Sequence, residues 1–171
     1  DFTVDQLLAE PETVSPLRKH DCCPISDGAA AMIICTVEKA KAMGKPYAVI
    51  KGIDHRIETH HVTLRDLSRS PSVEIAAEKA GVHDAPVDVA EIYAPFSHQE
   101  IIVKRALGLD DSVAINPSGG VLAGHLFMAS GLSRVGEVAK RIIAGEYKRG
   151  VAHATSGPCL QQNMITVLEG M

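Results

Sequence analysis

The residues best suited to chemistry lie in Asn116-Pro-Ser-Gly-Gly-Val-Leu-Ala-Gly-His-Leu, a glycine-rich turn that ends on His125 just ahead of a helical segment. Asn116-Pro117 breaks an apolar strand pattern, and Gly119, Gly120 and Gly124 open backbone conformations closed to most residues, so the chain can approach a ligand closely there. A histidine so placed can donate a hydrogen bond to a carbonyl oxygen and exchange a proton near neutral pH, its ordinary pKa being about 6.5. The same spacing suits a histidine that only caps or underlies the next helix, and one histidine with three glycines leaves both readings open.

Three further turn-rich stretches carry unusual side chains: Cys22 to Gly28, Tyr93 to Gln99 and Ser156 to Asn163. In layered α/β sheets ligands usually sit in the loops beyond the strand ends. Convergence of these loops would gather Tyr93, His98, His125 and Cys159, which offer hydrogen-bond donors, a proton carrier and a thiol. Tyr93 is also compatible with a core aromatic whose hydroxyl finds a partner at the sheet edge. Cys159 is compatible with a packed loop cysteine, and as a base it would need a pKa below the free-thiol value of about 8.5. His55, His60 and His61 share a polar connection but form no i, i+4 pair with a carboxylate, so no metal site is read from them.

The elements that must position these groups follow from periodicity. A short helix over Val4 to Ala9 precedes a proline-punctuated connector that runs to about residue 20, and the ordered domain, residues 21–171, starts near Cys22. Ala29 to Thr36 is apolar throughout and reads as a strand buried on both faces. Helical character follows over Val37 to Met43, then a strand over Tyr47 to Ile57 and a helix over Ser72 to Ala80 with Ser72 as its cap. Val87 to Tyr93 is a strand, Phe96 to Leu107 a helix, Val113 to Ile115 a strand and Ala129 to Ala144 a long helix. Gly150 to Thr155 and Met164 to Leu168 close the chain as an antiparallel hairpin. Strands and helices alternating in this way predict an α/β layered sheet.

Composition sets the frame. A chain of 171 residues that is 46% hydrophobic fits one domain with a real core. A net charge of -4 with scattered basic residues gives no electrostatic case for nucleic acid or an anionic membrane. No apolar run reaches the roughly 20 residues of a membrane helix, and no charged-then-apolar signal opens the chain, so the cytoplasm is the expected compartment. Cys22, Cys23, Cys35 and Cys159 show neither Cys-x-x-Cys spacing nor the density of a disulfide scaffold. The chain opens on Asp1 rather than methionine, and is expected to be part of a longer polypeptide.

Three motifs in order, Asp27-Gly28-Ala29-Ala30-Ala31, Glu91-Ile-Tyr-Ala-Pro-Phe-Ser and Asn116-Pro-Ser-Gly-Gly-Val-Leu-Ala-Gly-His125, resemble the C-terminal half of a thiolase. The branch they resemble is the sterol carrier protein type with its bacterial and archaeal relatives, and the resemblance runs from about Pro16 to the end. It implies a layered thiolase-like fold with a mixed five-stranded sheet and helices packed on it. It also implies an acyl-CoA enzyme that cleaves or condenses a 3-oxoacyl-CoA, with the coenzyme A thioester as substrate and no separate cofactor.

Within that resemblance, His125 matches the histidine of the family's Gly-His-Pro motif, which helps form an oxyanion hole for the thioester oxygen. Leu126 replaces the proline. Tyr93 stands where thiolases carry the asparagine of Asn-Glu-Ala-Phe or, in the sterol carrier type, the histidine of His-Asp-Cys-Phe. Cys159, 34 residues after His125, falls where the family places its second catalytic cysteine, although Gln161 replaces the glycine of Cys-x-Gly. Cys23 and Pro24 match a segment that lies against the pantetheine arm, and Phe96 and Gly124 join them as candidate substrate contacts. The acylated cysteine of the family lies in the N-terminal half, so this chain alone is expected to be inactive. The resemblance further implies a homodimer or larger oligomer and allows a small OB-fold partner protein. Tyr93 also resembles the tyrosine of thiolase-like retro-aldolases that act on acyl-CoA side chains. The departures at Tyr93, Leu126 and Gln161 leave room for a non-catalytic CoA-ester or lipid-binding or assembly module.

Overall fold

Runs that are apolar throughout can bury both faces only in the middle of a layered sheet, and five of the strands expected from the sequence meet in one. The computed structural model describes residues 2–171. In chain order the elements are α1 (Val4–Ala9), β1 (Glu12–Val14), β2 (Leu17–Arg18), α2 (Val37–Ala42), β3 (Ala48–Ile57), α3 (Pro71–Lys79) and β4 (Val89–Glu91). They continue with α4 (Ser97–Ala106), β5 (Ala114–Ile115), α5 (Gly120–Ala123), α6 (Ser130–Ile143), β6 (Arg149–Ser156) and β7 (Gln162–Gly170). The five-stranded sheet has the order β3-β7-β6-β4-β5, and β1 with β2 makes a separate two-stranded hairpin. β4 is parallel to β5 and β6, while β7 is antiparallel to both β6 and β3. β3, β4, β5 and β6 therefore end at the same edge of the sheet, and the loops that follow them gather there.

The core has two sides because adjacent residues on a strand point to opposite faces. Ala90, Val151, Ile165 and Val167 face α3 and α4, where they meet Val73, Ala76, Ala77 and Val103. Their strand neighbours Val89, Ala152 and Leu168 face α6 and meet Val135, Val138 and Ile142. Small residues bring the layers close. A Cβ on Gly52 would overlap the Ala80 carbonyl oxygen at the end of α3, and one on Gly150 would press into Val138 and Val89.

Most boundaries fall within a residue or two of expectation, and α1 matches at both ends. α3 begins at Pro71, not at a capping Ser72, because proline at the first helical turn forgoes only an amide that has no intrahelical partner. The strand expected over Ala29 to Thr36 does not form. That segment belongs to no strand, and Ile33 and Ile34 are 91% and 71% exposed. Apolar composition states a demand for burial but does not supply a neighbour for the backbone amides, and the segment pairs with neither edge strand, β3 or β5. The connector also carries more structure than its prolines indicate. Asp21, at its end, accepts from Arg18 N at 2.8 Å and from Ser97 Oγ of α4 at 2.8 Å. Among the described residues no helix is long and apolar enough to cross a membrane.

One polar network lies inside the α3 side of the core. His153 and Asn163 are fully buried, and His153 Nε2 pairs with Asn163 Oδ1 at 2.9 Å. Asn163 Nδ2 donates to Ser72 Oγ and to Leu160 O, each at 2.7 Å, so the amide ties the β6–β7 turn to the start of α3. Burial pushes the His153 imidazole down to about 4. Between pH 6.5 and about 4 the unfolded chain binds a proton that the folded chain refuses, so stability drops as pH falls through that window. Urea unfolding from pH 7.5 to 4.5 is expected to show a loss approaching about 1.4 kcal/mol per pH unit from this residue. His153→Gln, which keeps a hydrogen-bonding partner for Asn163, should flatten that part of the profile.

Candidate active site

Tyr93 leaves the C-terminal end of β4, and His125 ends the loop that follows β5, so the two depend on how those parallel strands meet. Val89 and Ala90 pair with Ala114 and Ile115. Immediately beyond, Asn116 N donates to Ala90 O at 2.8 Å and Ile92 N donates to Asn116 Oδ1 at 2.6 Å. Asn116 takes φ 46°, a left-handed conformation that asparagine accepts more readily than most residues. Its amide nitrogen reaches Glu100 of α4 at 2.5 Å. The chain then turns through Gly119 and Gly120 at φ 91° and 62°, where a side chain would be strained, and passes α5 to reach His125.

Residues 22–28 form the opposite wall. Cys22 bridges Phe96, and Cys23 N donates to Pro95 O at 2.9 Å. His125 N donates to Pro24 O at 3.1 Å, and Ser26 N donates to His125 O at 3.0 Å. Gly28 passes so close to the Leu126 side chain that a Cβ there would overlap it. Leu126 also donates its amide to Ser130 Oγ at 2.9 Å, a bond that a proline at this position lacks the N–H to make.

The outcome is a hydrogen bond between the Tyr93 hydroxyl and His125 Nε2, with the rings edge to face at 5.4 Å. Phe127 stacks on His125 at a centroid distance of 4.7 Å. His125 is 8% exposed, and burial lowers its pKa below the ordinary histidine value. Burial, with the nearby Cys23 thiol as a second cause, raises the Tyr93 phenol. Burial likewise raises Cys23. At neutral pH the site therefore holds an uncharged imidazole, an intact phenol and an intact thiol. A neutral imidazole carries one N–H. With that proton on Nδ1, Tyr93 donates to Nε2. With it on Nε2, the ring donates to the phenol oxygen and the phenol O–H is free for a substrate oxygen.

Of the residues singled out from sequence, the fold places Cys23, Pro24, Tyr93, Phe96 and His125 on three segments joined to one another by hydrogen bonds and bridges. Gly124 joins them with Ser26 beside it. His98 stacks on Phe96 at 6.0 Å. Cys159 sits at the same rim of the sheet, in the turn between β6 and β7. It is exposed at φ 54°, and Arg65 holds the turn through the carbonyls of Pro158 and Cys159. Among the described residues no hydrogen bond joins Cys159 to Tyr93 or His125.

Sequence reasoning missed Phe127 and a buried cluster behind the loop. Glu91, fully buried on β4, accepts from Ser118 N at 3.1 Å, from Ser118 Oγ at 2.7 Å and from Arg134 Nη1 of α6 at 2.7 Å. The available signal was an acid, Glu91, flanked by Val89-Ala90 and Ile92-Tyr93 inside a strand pattern, together with an arginine on the apolar side of an amphipathic helix.

Comparison with known proteins bears on this arrangement. A family model described as Thiolase, C-terminal domain matches residues 45–167. An acetyl-CoA acetyltransferase of Methanocaldococcus jannaschii is 32% identical over 163 residues, which cover 80% of this chain and 42% of that protein. Human sterol carrier protein 2 is 27% identical over 192 residues, covering 96% and 35% respectively. The crystal structure of human mitochondrial 3-ketoacyl-CoA thiolase superposes with a TM-score of 0.80 over 100% of this chain and 43% of that one, at 24% identity, and so shares its fold. The chain thus spans less than half the length of these proteins.

Tyr93→Phe keeps the ring packed and deletes only the hydroxyl that meets His125. Its expected effect is a loss of about 0.5–1.5 kcal/mol, the range for one partly buried hydrogen bond, read as a lower urea midpoint at pH 7.5 with an unchanged slope.

Proposed function

Because the chain belongs to the thiolase C-terminal domain family, we propose that it supplies the His125–Tyr93 half of an acyl-CoA active site whose nucleophilic cysteine is carried elsewhere in a longer polypeptide. The observation that supports this reading best is the hydrogen bond between Tyr93 and His125 at the rim where the loops after the parallel strands gather. An uncharged hydrogen-bonded pair that keeps one N–H or O–H free, held in place before substrate arrives, is suited to the negative charge that develops on a thioester oxygen. The surrounding surface fits the same reading. Ile25, Phe127 and Met128 are 77%, 56% and 98% exposed beside the imidazole, leaving apolar area for an acyl chain or for the rest of the polypeptide.

In this reading thiolysis joins free coenzyme A to a 3-oxoacyl-CoA and releases acetyl-CoA and an acyl-CoA shorter by two carbons. Condensation is the reverse. With its proton on Nδ1, His125 holds the thioester oxygen through Nδ1–H while Tyr93 orients the ring; with the proton on Nε2, the ring orients the phenol and the Tyr93 O–H holds that oxygen. Cys159 moves the proton at the carbon next to the thioester. Cys23, Pro24, Phe96 and Gly124 line the approach of the pantetheine arm. No cofactor beyond the substrate's own coenzyme A is assigned, residues 1–20 serve as the connector, and the working form is a homodimer or larger oligomer in the cytoplasm.

The intact phenol of Tyr93 favours one second reading, retro-aldol cleavage. There a 3-hydroxyacyl-CoA with a tertiary alcohol splits into a ketone and a shorter acyl-CoA. The hydroxyl proton passes to a base, and the enolate carbon takes one up.

The test uses the full-length polypeptide with acetoacetyl-CoA plus free coenzyme A. Thioester cleavage is expected, and His125→Ala should lower kcat by about 10² to 10³. Inertness toward 3-oxoacyl-CoA with cleavage of the 3-hydroxy substrate would move the assignment to the retro-aldolase. Unchanged turnover in His125→Ala would remove His125 from either mechanism.

A further inference from the structure

A fully buried carboxylate in an apolar sheet needs a reason. Glu91 is 0% exposed, and all three of its donors come from two partners, Ser118 in the His125 loop and Arg134 on α6. Arg134 is 6% exposed, and its Nη1 reaches Ser118 Oγ at 2.9 Å as well as Glu91 Oε2. Ser118 Oγ also accepts from Gly120 N at 3.1 Å, next to the left-handed turn. Hydrophobic residues of similar volume are often at least as stabilising as a buried ion pair, so stability alone is a weak account of this one.

The position of Glu91 gives a better account. Four consecutive residues of one chain segment each hold the same loop: Ala90 through its carbonyl to Asn116 N, Glu91 through its carboxylate to Ser118, Ile92 through its amide to Asn116 Oδ1, and Tyr93 through its hydroxyl to His125. Glu91 is the last residue of β4 and Tyr93 follows it by two. Ser118 and His125 lie near the two ends of the glycine turn. The carboxylate thus fixes one end of a flexible span whose other end is the imidazole, and α6 fixes the carboxylate.

We infer that Glu91, braced by Arg134, is a positioning residue that sets the register between Tyr93 and His125 through Ser118. Without that grip the turn through Gly119 and Gly120 has conformational freedom to carry His125 away from Tyr93. The role of His125 in acyl-CoA chemistry rests on the reading given above, but its placement by Glu91 does not.

The decisive variant combines Glu91→Met with Arg134→Met, which replaces the pair by apolar groups and leaves no buried charge behind. In the isotopically labelled chain, NMR reads the His125 ring, with the buried His153 ring as a reference for the fold. The expected result is a melting midpoint close to that of the parent chain and unchanged His153 signals. His125 signals should shift and broaden, and its titration midpoint should rise toward about 6.5 as the ring gains water. A folded double variant whose His125 signals coincide with those of the parent overturns the inference. If the double variant does not fold, Ser118→Ala, which leaves the ion pair intact and removes only the hydroxyl, decides by the same signals. In the full-length enzyme the folded variant should lose about 10²-fold in kcat with little change in KM, the signature of a misplaced group. A parent enzyme without thioester activity would refute the functional reading, while the ring signals would still judge Glu91.

Discussion

The bond between Tyr93 and His125 exists because two parallel strands end side by side and the loop after one is gripped by the end of the other. The backbone ladder of β4 and β5 covers only two residue pairs, so it cannot by itself fix a loop of nearly ten residues that contains three glycines. The side chains of Asn116, Ser118 and Glu91 extend the pairing past the last ladder rung. This makes a glycine-rich loop dependent on an interior strand whose two faces are covered by α3, α4 and α6.

A second buried polar network serves the same rim from the other face of the sheet. Asn163 and His153 hold the turn that carries Cys159 and Leu160, two non-glycine residues at φ 54° and 57°, against the start of α3. Arg65 secures that turn from outside through its carbonyls. The sheet therefore presents two braced loops at one edge, each tied down by a buried amide or carboxylate that would cost free energy if left unpaired. Their electrostatic outcome is a site of uncharged groups. Burial keeps the imidazole from protonating and the phenol and thiol from ionising.

The surface around this rim is apolar and open. Ile25 and Phe127 beside His125, Met128 next in the chain, and Ile33 and Ile34 in the run after Gly28 are exposed far beyond what a core residue shows. The Ala29 to Thr36 run pairs with neither edge strand of the sheet and so keeps strand-like composition without a strand's partners.

The sequence by itself determined the order of the longer strands and helices from Val37 onward and the identity of the groups with chemical capacity. Those properties follow from local periodicity, from the punctuation by proline and glycine, and from side-chain type. The short helix at Val4–Ala9, the closing hairpin and the loop ending at His125 were all legible in this way. Tertiary structure decided which of those groups meet. It joined Tyr93 to His125 across 32 residues and brought residues 22–26 against both. It gave Leu126 an amide bond that a proline could not make, and it left Cys159 to its own turn. It also denied Ala29 to Thr36 a place in the sheet and hid Glu91 and Arg134 in a pair that no local pattern encodes. The reason is physical. Periodicity reports which face a residue seeks to bury, whereas hydrogen bonds between distant segments depend on strand order and register, which are settled only when the whole chain competes for the same neighbours.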